Sequence, residues 1–136
     1  MAPQHLKKGD AMKDIRSLLN NYYFSRKEYE YMAKHKGESF SYLFPDDDNS
    51  DMRQSFIDNE TAFLNRLKVE LDDTLKVIGG MKTESYRTLL TLRYINNLSW
   101  MEIEGLTGYS KQYLRGKMHG VALNEAINTQ KEVHSL

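Results

Sequence analysis

Two stretches of the chain place apolar residues at alternating spacings of three and four positions, interrupted only at Ser25, Glu60 and Thr74. This is the period of an amphipathic helix. The stripe of the first stretch, from about residue 10 to residue 36, consists of Ile15, Leu18, Tyr22, Tyr29 and Met32. The stripe of the second, from about residue 53 to residue 78, consists of Ile57, Leu64, Leu67, Leu71 and Ile78. Each stripe needs an apolar partner, so the pattern predicts an antiparallel helical hairpin, with a coiled coil between two chains as the alternative.

An acidic block separates the two stripes. Between Gly37 and Asp51 the sequence contains Pro45 and a run of like charges without a helical period, and its acidic cluster consists of Asp46, Asp47, Asp48 and Asp51. The pattern predicts an acidic loop over residues 37–52. A solvated loop is the first interpretation. A divalent-cation site and a phosphate mimic that covers a basic surface are the alternatives, although the block lacks the glycine and distal glutamate of an EF-hand.

Shorter helices follow Gly79 and Gly80, which are expected to end the second long helix and to form a hinge. A helix is predicted from Thr83 to about Ile95. A second begins after Ser99, an N-cap with a glutamate three residues later, and ends at Gly108. A third begins after Ser110 and ends near Ala126. The domains predicted are a hairpin over residues 1–80, a helical domain over residues 81–126 and a flexible polar tail over residues 127–136.

The last two of these helices, with a glycine-containing turn between them, have the spacing of a helix-turn-helix. In such a unit the apolar sides of the two helices meet. The contacts expected are those of Trp100, Ile103 and Leu106 with Leu114, Met118 and Val121. The predicted fold class is therefore all-α, a long helical hairpin followed by a three-helix helix-turn-helix domain.

The opposite side of the second of these helices carries residue types that recognise double-stranded DNA. Arginine bonds guanine bidentately, glutamine does the same with adenine, and lysine and tyrosine reach phosphates. Gly116 on this side would let the backbone approach the groove closely. The candidate DNA-binding residues are Ser110, Lys111, Gln112, Tyr113, Arg115, Lys117 and His119.

Charge is distributed unevenly along the chain. The 136 residues contain 19 basic and 19 acidic side chains, so the formal net charge is zero, which argues against an indiscriminate histone-like DNA binder. Residues 44–60 carry one basic and six acidic residues, whereas residues 81–123 carry six basic and three acidic residues. The acidic block thus conceals a moderately basic helix-turn-helix region.

Other classes of protein find little support in the composition. The chain has no cysteine, which excludes thiolate zinc sites, and no apolar run of the length that a membrane span needs. The four histidines are isolated, and neither a catalytic motif nor a phosphate-binding glycine loop is present. We therefore expect a soluble cytoplasmic protein that is not an enzyme and has no metal or other cofactor.

Four motifs carry a resemblance to a known family. They are Leu92-Arg93-Tyr94, Ser99-Trp100-Met101-Glu102-Ile103, Gly108-Tyr109-Ser110 and His119-Gly120-Val121-Ala122-Leu123. Residues 86–123 resemble the sigma-70 region 4 class of helix-turn-helix, and more closely the ArpU- and RinA-type late transcription regulators of Gram-positive phages and related mobile elements. The chain departs from the family pattern at Glu104, Thr107 and Val121, and the stretch from Ser110 to His119 is one residue longer.

The resemblance implies a transcription regulator, and we expect an activator, that binds double-stranded DNA in the cytoplasm of a bacterial host. It implies contacts with bases or backbone by Lys111, Gln112, Tyr113, Arg115, Lys117 and His119. The partners it suggests are RNA polymerase or another phage protein, and a second copy of the chain in a homodimer is a further candidate. The alternatives are a small-terminase-like DNA-packaging component and a protein adaptor that binds through the tyrosine-rich first helix.

Overall fold

The computed structural model describes residues 13–43 and 50–135, and all regular secondary structure within these ranges is helical. The prediction of an all-α fold is confirmed. The first helices in chain order are α1 (Ile15–Lys34), α2 (Glu38–Leu43) and α3 (Ser50–Gly80). They are followed by α4 (Glu84–Leu90, prolonged by a π-helical segment Thr91–Ile95) and α5 (Trp100–Thr107). The last helix, α6, comprises Lys111–Tyr113, a π-helical segment Leu114–Met118 and His119–His134.

Helices α1 and α3 lie against each other in opposite directions. Near the start of α1, the Lys13 ammonium is 2.8 Å from the Glu70 carboxylate. Beyond its other end, the Gly37 N–H donates to the carboxylate of Glu60, 2.9 Å away. The residues of α1 that are buried are Ile15, Leu18, Leu19 and Tyr22. The apolar stripe of α1 is therefore buried in its first half and only half-buried at Tyr29 and Met32.

The predicted acidic loop over residues 37–52 is wrong at both ends, because Glu38–Leu43 is helical and α3 begins at Ser50. The cause is an aromatic contact that the pattern of breakers did not reveal. Phe40 is buried, its ring centroid lies 5.5 Å from that of Phe56, and the Arg53 guanidinium lies 4.6 Å from the Phe40 ring. Residues 44–49, with most of the acidic cluster, lie outside the described residues.

One hydrophobic core joins the long helices to the C-terminal ones. It contains Ile15 and Leu19 of α1, Val77 and Ile78 of α3, and the following residues of α4 to α6: Leu89, Leu90, Ile103, Leu114, Met118, Ala122 and Ala126. The predicted boundary after residue 80 therefore marks a turn between helices that share a core. Burial of this many large side chains fixes the position of α6 relative to α1 and α3.

The double glycine at the end of α3 is more than a hinge. Both glycines belong to the helix, and a Cβ atom on Gly80 would lie 3.2 Å from Cγ2 of Thr129 in α6. That distance is shorter than an ordinary van der Waals contact. The absence of a side chain at residue 80 thus lets α6 cross close to the end of α3.

The prediction of a flexible tail over residues 127–136 is wrong for most of its length, because α6 continues to His134. Polar residues hold this part of the helix in place. The Gln130 amide accepts from the Ile15 N–H at 2.9 Å and donates to the Lys13 carbonyl at 2.6 Å. His134 Nε2 lies 2.8 Å from an Asp73 carboxylate oxygen. The polarity of this segment therefore serves contacts with α1 and α3.

The start of α4 is fixed by α6. The Glu125 carboxylate accepts hydrogen bonds from the Thr83 N–H at 2.9 Å and the Thr83 hydroxyl at 2.7 Å. Burial opposes ionisation of Glu125, but the hydrogen bonds from Thr83 and the Lys82 N–H, together with the charge of Arg87, outweigh it and lower the pKa of the carboxyl. The side chain that closes the first turn of α4 thus comes from a distant part of the sequence.

Candidate nucleic-acid interface

The two helices α5 and α6 are delimited by the caps that the sequence predicts. The Ser99 hydroxyl accepts from the Glu102 N–H at 3.1 Å, and the Glu102 carboxylate accepts from the Ser99 N–H at 2.8 Å, which completes a capping box. Gly108 ends α5 with φ +85°, a left-handed conformation that favours glycine. The Ser110 hydroxyl then accepts from the Tyr113 N–H at 3.1 Å and begins α6.

Glu104 of α5 lies beside this turn. Its carboxylate accepts a hydrogen bond from the backbone N–H of Lys111 at 3.2 Å. This N–H belongs to the first turn of α6, where backbone donors have no partner within the helix. A side chain of α5 therefore satisfies the exposed end of α6 and links the two helices.

Packing between α5 and α6 follows the prediction at three residues and departs from it at two. Ile103, Leu114 and Met118 are buried, as expected. Leu106 is 67% exposed and Val121 is 40% exposed, whereas Ala122, the residue next to Val121, is completely buried. The core position expected for residue 121 is thus occupied by residue 122.

The π-helical segment Leu114–Met118 explains this displacement by one residue. A π-helical turn closes i→i+5 hydrogen bonds and so holds one residue more than an α-helical turn. Every later residue is rotated by about 100° relative to an ideal α-helix of 3.6 residues per turn.

The same rotation places His119 away from the exposed side of α6, so its predicted position on the DNA-facing side is wrong. Its ring is half-buried, and Nε2 lies 2.6 Å from the Tyr94 hydroxyl. The ring stacks on that of Tyr94 at 5.8 Å between centroids and meets the edge of Trp100 at 5.1 Å. His119 therefore joins α6 to α4 and α5.

The remaining candidate residues lie at or near the surface of the first turns of α6. Gln112, Tyr113, Arg115 and Lys117 are exposed, Lys111 is half-buried, and the exposed Ser110 uses its hydroxyl as the N-cap. Within the part of the chain that the structure describes, no hydrogen bond or ion pair engages the side chains of Lys111, Arg115 or Lys117. These three cations are available to an anionic ligand.

Other basic residues of the region support the fold. The Arg87 guanidinium donates to the Met81 carbonyl at 2.6 Å, and that of Arg93 donates to the Leu98 carbonyl at 2.9 Å. Arg93 also lies 4.6 Å from the Trp100 ring, a cation–π contact. Part of the positive charge counted in the sequence is therefore committed to packing.

Tyr109 also belongs to this surface, although it was not among the predicted DNA-binding residues. Its ring lies 5.5 Å from that of Tyr113, and the two side chains are 45% and 42% exposed. The i, i+4 spacing of the two tyrosines was the available signal. The pair provides an aromatic surface beside the cations of α6.

Burial sets the protonation of the contact between α4 and α6. Desolvation, with a smaller contribution from the positive charge of Arg93, lowers the pKa of His119, and desolvation raises the pKa of Tyr94. Both groups are thus favoured in their neutral forms, so that Nε2 of His119 can accept the hydrogen of the Tyr94 hydroxyl.

We expect the protein to lose stability as the pH falls from 7.5 to 5.5. The pKa of His119 is lower in the folded than in the unfolded chain, so the unfolded chain binds more protons below about pH 6.5. The contribution of His119 to the free energy of unfolding is complete above its pKa in the unfolded chain, and it disappears as the pH falls through its pKa in the folded protein. Urea denaturation at several pH values should show a weaker pH dependence for His119→Gln. The exposed-site control Asn124→Ala should behave as wild type; equal pH dependence in all three proteins would contradict this account.

Metal and membrane sites find no support in the described ranges. No group of three His, Asp or Glu side chains among these residues could hold a metal ion. None of the helices in the same ranges is long and apolar enough to cross a membrane.

Comparison of the chain with models of protein families, with curated proteins and with solved structures finds no match.

Proposed function

We propose that the chain is a sequence-specific transcription regulator whose helices α5 and α6 form a DNA-binding helix-turn-helix. The observation that carries this proposal is the set of unpaired cations Lys111, Arg115 and Lys117 at the exposed start of α6. A helix of this kind fits the major groove, which is about 12 Å wide. The close turn between α5 and α6, with its caps, would hold the recognition helix in a fixed orientation.

The residues of α6 divide into two roles in this proposal. Arg115 and Gln112, one helical turn apart, contact base edges, with guanine and adenine as their preferred partners. Lys111, Lys117 and Tyr113 contact phosphates and position the helix. His119 supports α6 from behind and makes no contact with DNA.

The small number of unpaired cations limits non-specific affinity. Each phosphate contact contributes to binding through counterion release, and the whole chain has no net charge. Tight binding would therefore need base contacts, a second copy of the chain or a protein partner. Phe24 and Tyr31 of α1 are 70% and 65% exposed, and they are our candidates for contact with a second copy, RNA polymerase or another protein.

The resemblance to phage late regulators supports the biological part of the proposal. The chain would act at promoters of a phage or phage-related element in the cytoplasm of its bacterial host, and we propose that it activates transcription. The long helices α1 and α3 would then serve dimerisation or contact with the transcription machinery. This part depends on motifs of the last third of the chain and is separable from DNA binding itself.

The proposed contacts with phosphates can be tested by fluorescence anisotropy. Binding of a mixed-sequence duplex of about 30 base pairs would be measured at salt concentrations from 50 to 200 mM. We expect Lys117→Ala to weaken binding to all duplexes alike and to lower the slope of log affinity against log salt by about 0.9. Lys131→Ala, at an exposed position of the distal half of α6, is the matched control and should keep the wild-type slope. Equal slopes for both variants would contradict the proposed role of Lys117.

A further inference from the structure

One side of α1 presents large aromatic groups to solvent, away from the common core. Phe24 and Tyr31 are 70% and 65% exposed, and they stand two helical turns apart on the same side of the helix. At about 100° per residue, this side is opposite the one that buries Ile15, Leu18 and Tyr22. The solvent side of a surface helix is ordinarily polar, so a pair of exposed aromatic residues there indicates an interaction site. We call this side the outer face of α1, and its residues are Asn20, Phe24, Lys27, Glu28, Tyr31 and His35.

The neighbouring helices leave the outer face open. On one side of it, Asn21 lines a small cleft together with Glu70 of α3. On the other side, Tyr23 lines a cleft together with Tyr94 of α4. Phe24 shares that second cleft and is nonetheless mostly exposed. A further helix can therefore pack on the outer face without displacing α3 or α4.

Two exposed charges of opposite sign separate the aromatic residues of the outer face. Within the part of the chain that the structure describes, neither Lys27 nor Glu28 forms an ion pair. The Lys27 ammonium lies 5.0 Å from the centre of the Tyr23 ring. A partner that covers both aromatic residues must therefore offer an acidic group to Lys27 and a basic group to Glu28.

The order of residues along the outer face is complementary to its own reverse. Phe24 lies three residues before Lys27, and Tyr31 lies three residues after Glu28. In an antiparallel pair of α1 helices, with the twofold axis between residues 27 and 28, Phe24 would face the partner's Tyr31. Lys27 would then face the partner's Glu28. Both contacts would occur twice, as they do in any interface with twofold symmetry.

A parallel pair of α1 helices would lack this complementarity. Each residue of a parallel, in-register pair faces its own copy. Lys27 would then face the partner's Lys27, and Glu28 would face the partner's Glu28. Like charges placed opposite each other weaken an interface, so the charges of the outer face favour the antiparallel arrangement.

We infer that the outer face of α1 binds the same face of a second copy of the chain in antiparallel orientation. The inference goes beyond the proposed function and does not rest on DNA binding. Because its test uses the protein without DNA, its failure and the failure of the proposed function are distinguishable. One pair of helices buries less than the about 1,600 Å² of a standard interface, so we expect a weak dimer with a Kd of roughly 1–100 µM.

Sedimentation equilibrium of the protein without DNA, from about 1 to 300 µM, tests for the dimer. We expect Phe24→Ala to raise the Kd of the dimer about tenfold or more, because the aromatic contact is lost at two symmetric places. Val69→Ala is the matched control, since Val69 is an apolar residue of α3 that is 63% exposed. It should keep the wild-type Kd.

Reversal of charge tests the antiparallel register. Lys27→Glu should raise the Kd about tenfold or more, because two pairs of like charges would then face each other, and Glu28→Lys should do the same. The double variant with both changes exchanges the two charges and should restore the wild-type Kd. Lys76→Glu, at an exposed position of α3, makes the same change in net charge as Lys27→Glu and should leave the Kd unchanged.

Four outcomes would overturn the inference. If the wild-type protein is monomeric over the whole concentration range, the outer face is left to a different protein. If Phe24→Ala and Val69→Ala change the Kd equally, the dimer forms through another surface. If the double variant stays as weak as the single charge variants, the two charges do not meet across the axis. An assembly larger than a dimer would show that no twofold axis closes the contact.

Discussion

Replacement of Leu114 with alanine is expected to lower the free energy of unfolding by about 2–5 kcal/mol. Leu114 is completely buried in the common core, together with Ile103 and Met118. Its removal would leave a cavity where α6 meets α5, and the aromatic contacts of His119 with Tyr94 and Trp100 would limit collapse around it. Leu114 is also the first residue of the π-helical segment, so the loss would fall where α6 changes its helical geometry.

Urea denaturation followed by circular dichroism measures this change. Val121→Ala is the matched control, because Val121 is an aliphatic residue of the same helix that is 40% exposed. Its effect should stay within about 0.5 kcal/mol. If Val121→Ala proves as costly as Leu114→Ala, the side of α6 described as buried is wrong, and the explanation of the one-residue displacement fails with it.

Arg115→Ala is expected to weaken binding to the preferred DNA site by about 1–3 kcal/mol, or roughly 5- to 150-fold. Arg115 is exposed and no hydrogen bond or ion pair within the described ranges holds its guanidinium. Its donors are thus free to bond guanine O6 and N7 as a pair. Loss of these two hydrogen bonds should reduce discrimination between bases at one position of the site, while the rest of the site is still recognised.

Affinities of the variant for the preferred site and for a site with that one base pair changed measure the effect. Lys117→Ala provides the comparison, since a phosphate contact should affect both sites alike. A loss for Arg115→Ala that is equal on both sites would show that Arg115 contacts the backbone. No loss on either site would remove Arg115 from the interface.

The two ends of α5 and the start of α6 could be predicted from sequence because their signals are local. Ser99 with Glu102, Gly108 and Ser110 each act on backbone groups within a few residues, and the structure places each of them at the expected cap. The all-helical fold likewise follows from apolar periodicity. Exposure of Gln112, Arg115 and Lys117 was predictable because these residues precede or lie within the π-helical segment and not beyond it.

Contacts after the π-helical segment could not be predicted in the same way. A helical wheel assumes 3.6 residues per turn, so it assigned His119 to the exposed side and Val121 to the core. The prediction of a flexible tail was wrong for another reason. Gln130 and His134 look like solvent-exposed residues until their partners, the start of α1 and Asp73, are known. The first error thus arises from local helix geometry, and the second from contacts between residues that are distant in sequence.

Selection of binding sites from a pool of random duplexes, repeated at low and high salt, tests whether the protein recognises a DNA sequence. We expect recovery of a short motif containing the guanine that Arg115 contacts, with the preference for that guanine lost in a parallel selection with Arg115→Ala. A palindromic motif would also show that the protein binds as a dimer, because the symmetry of the site mirrors that of the protein. Failure of the wild-type protein to enrich any sequence at low salt would contradict the account.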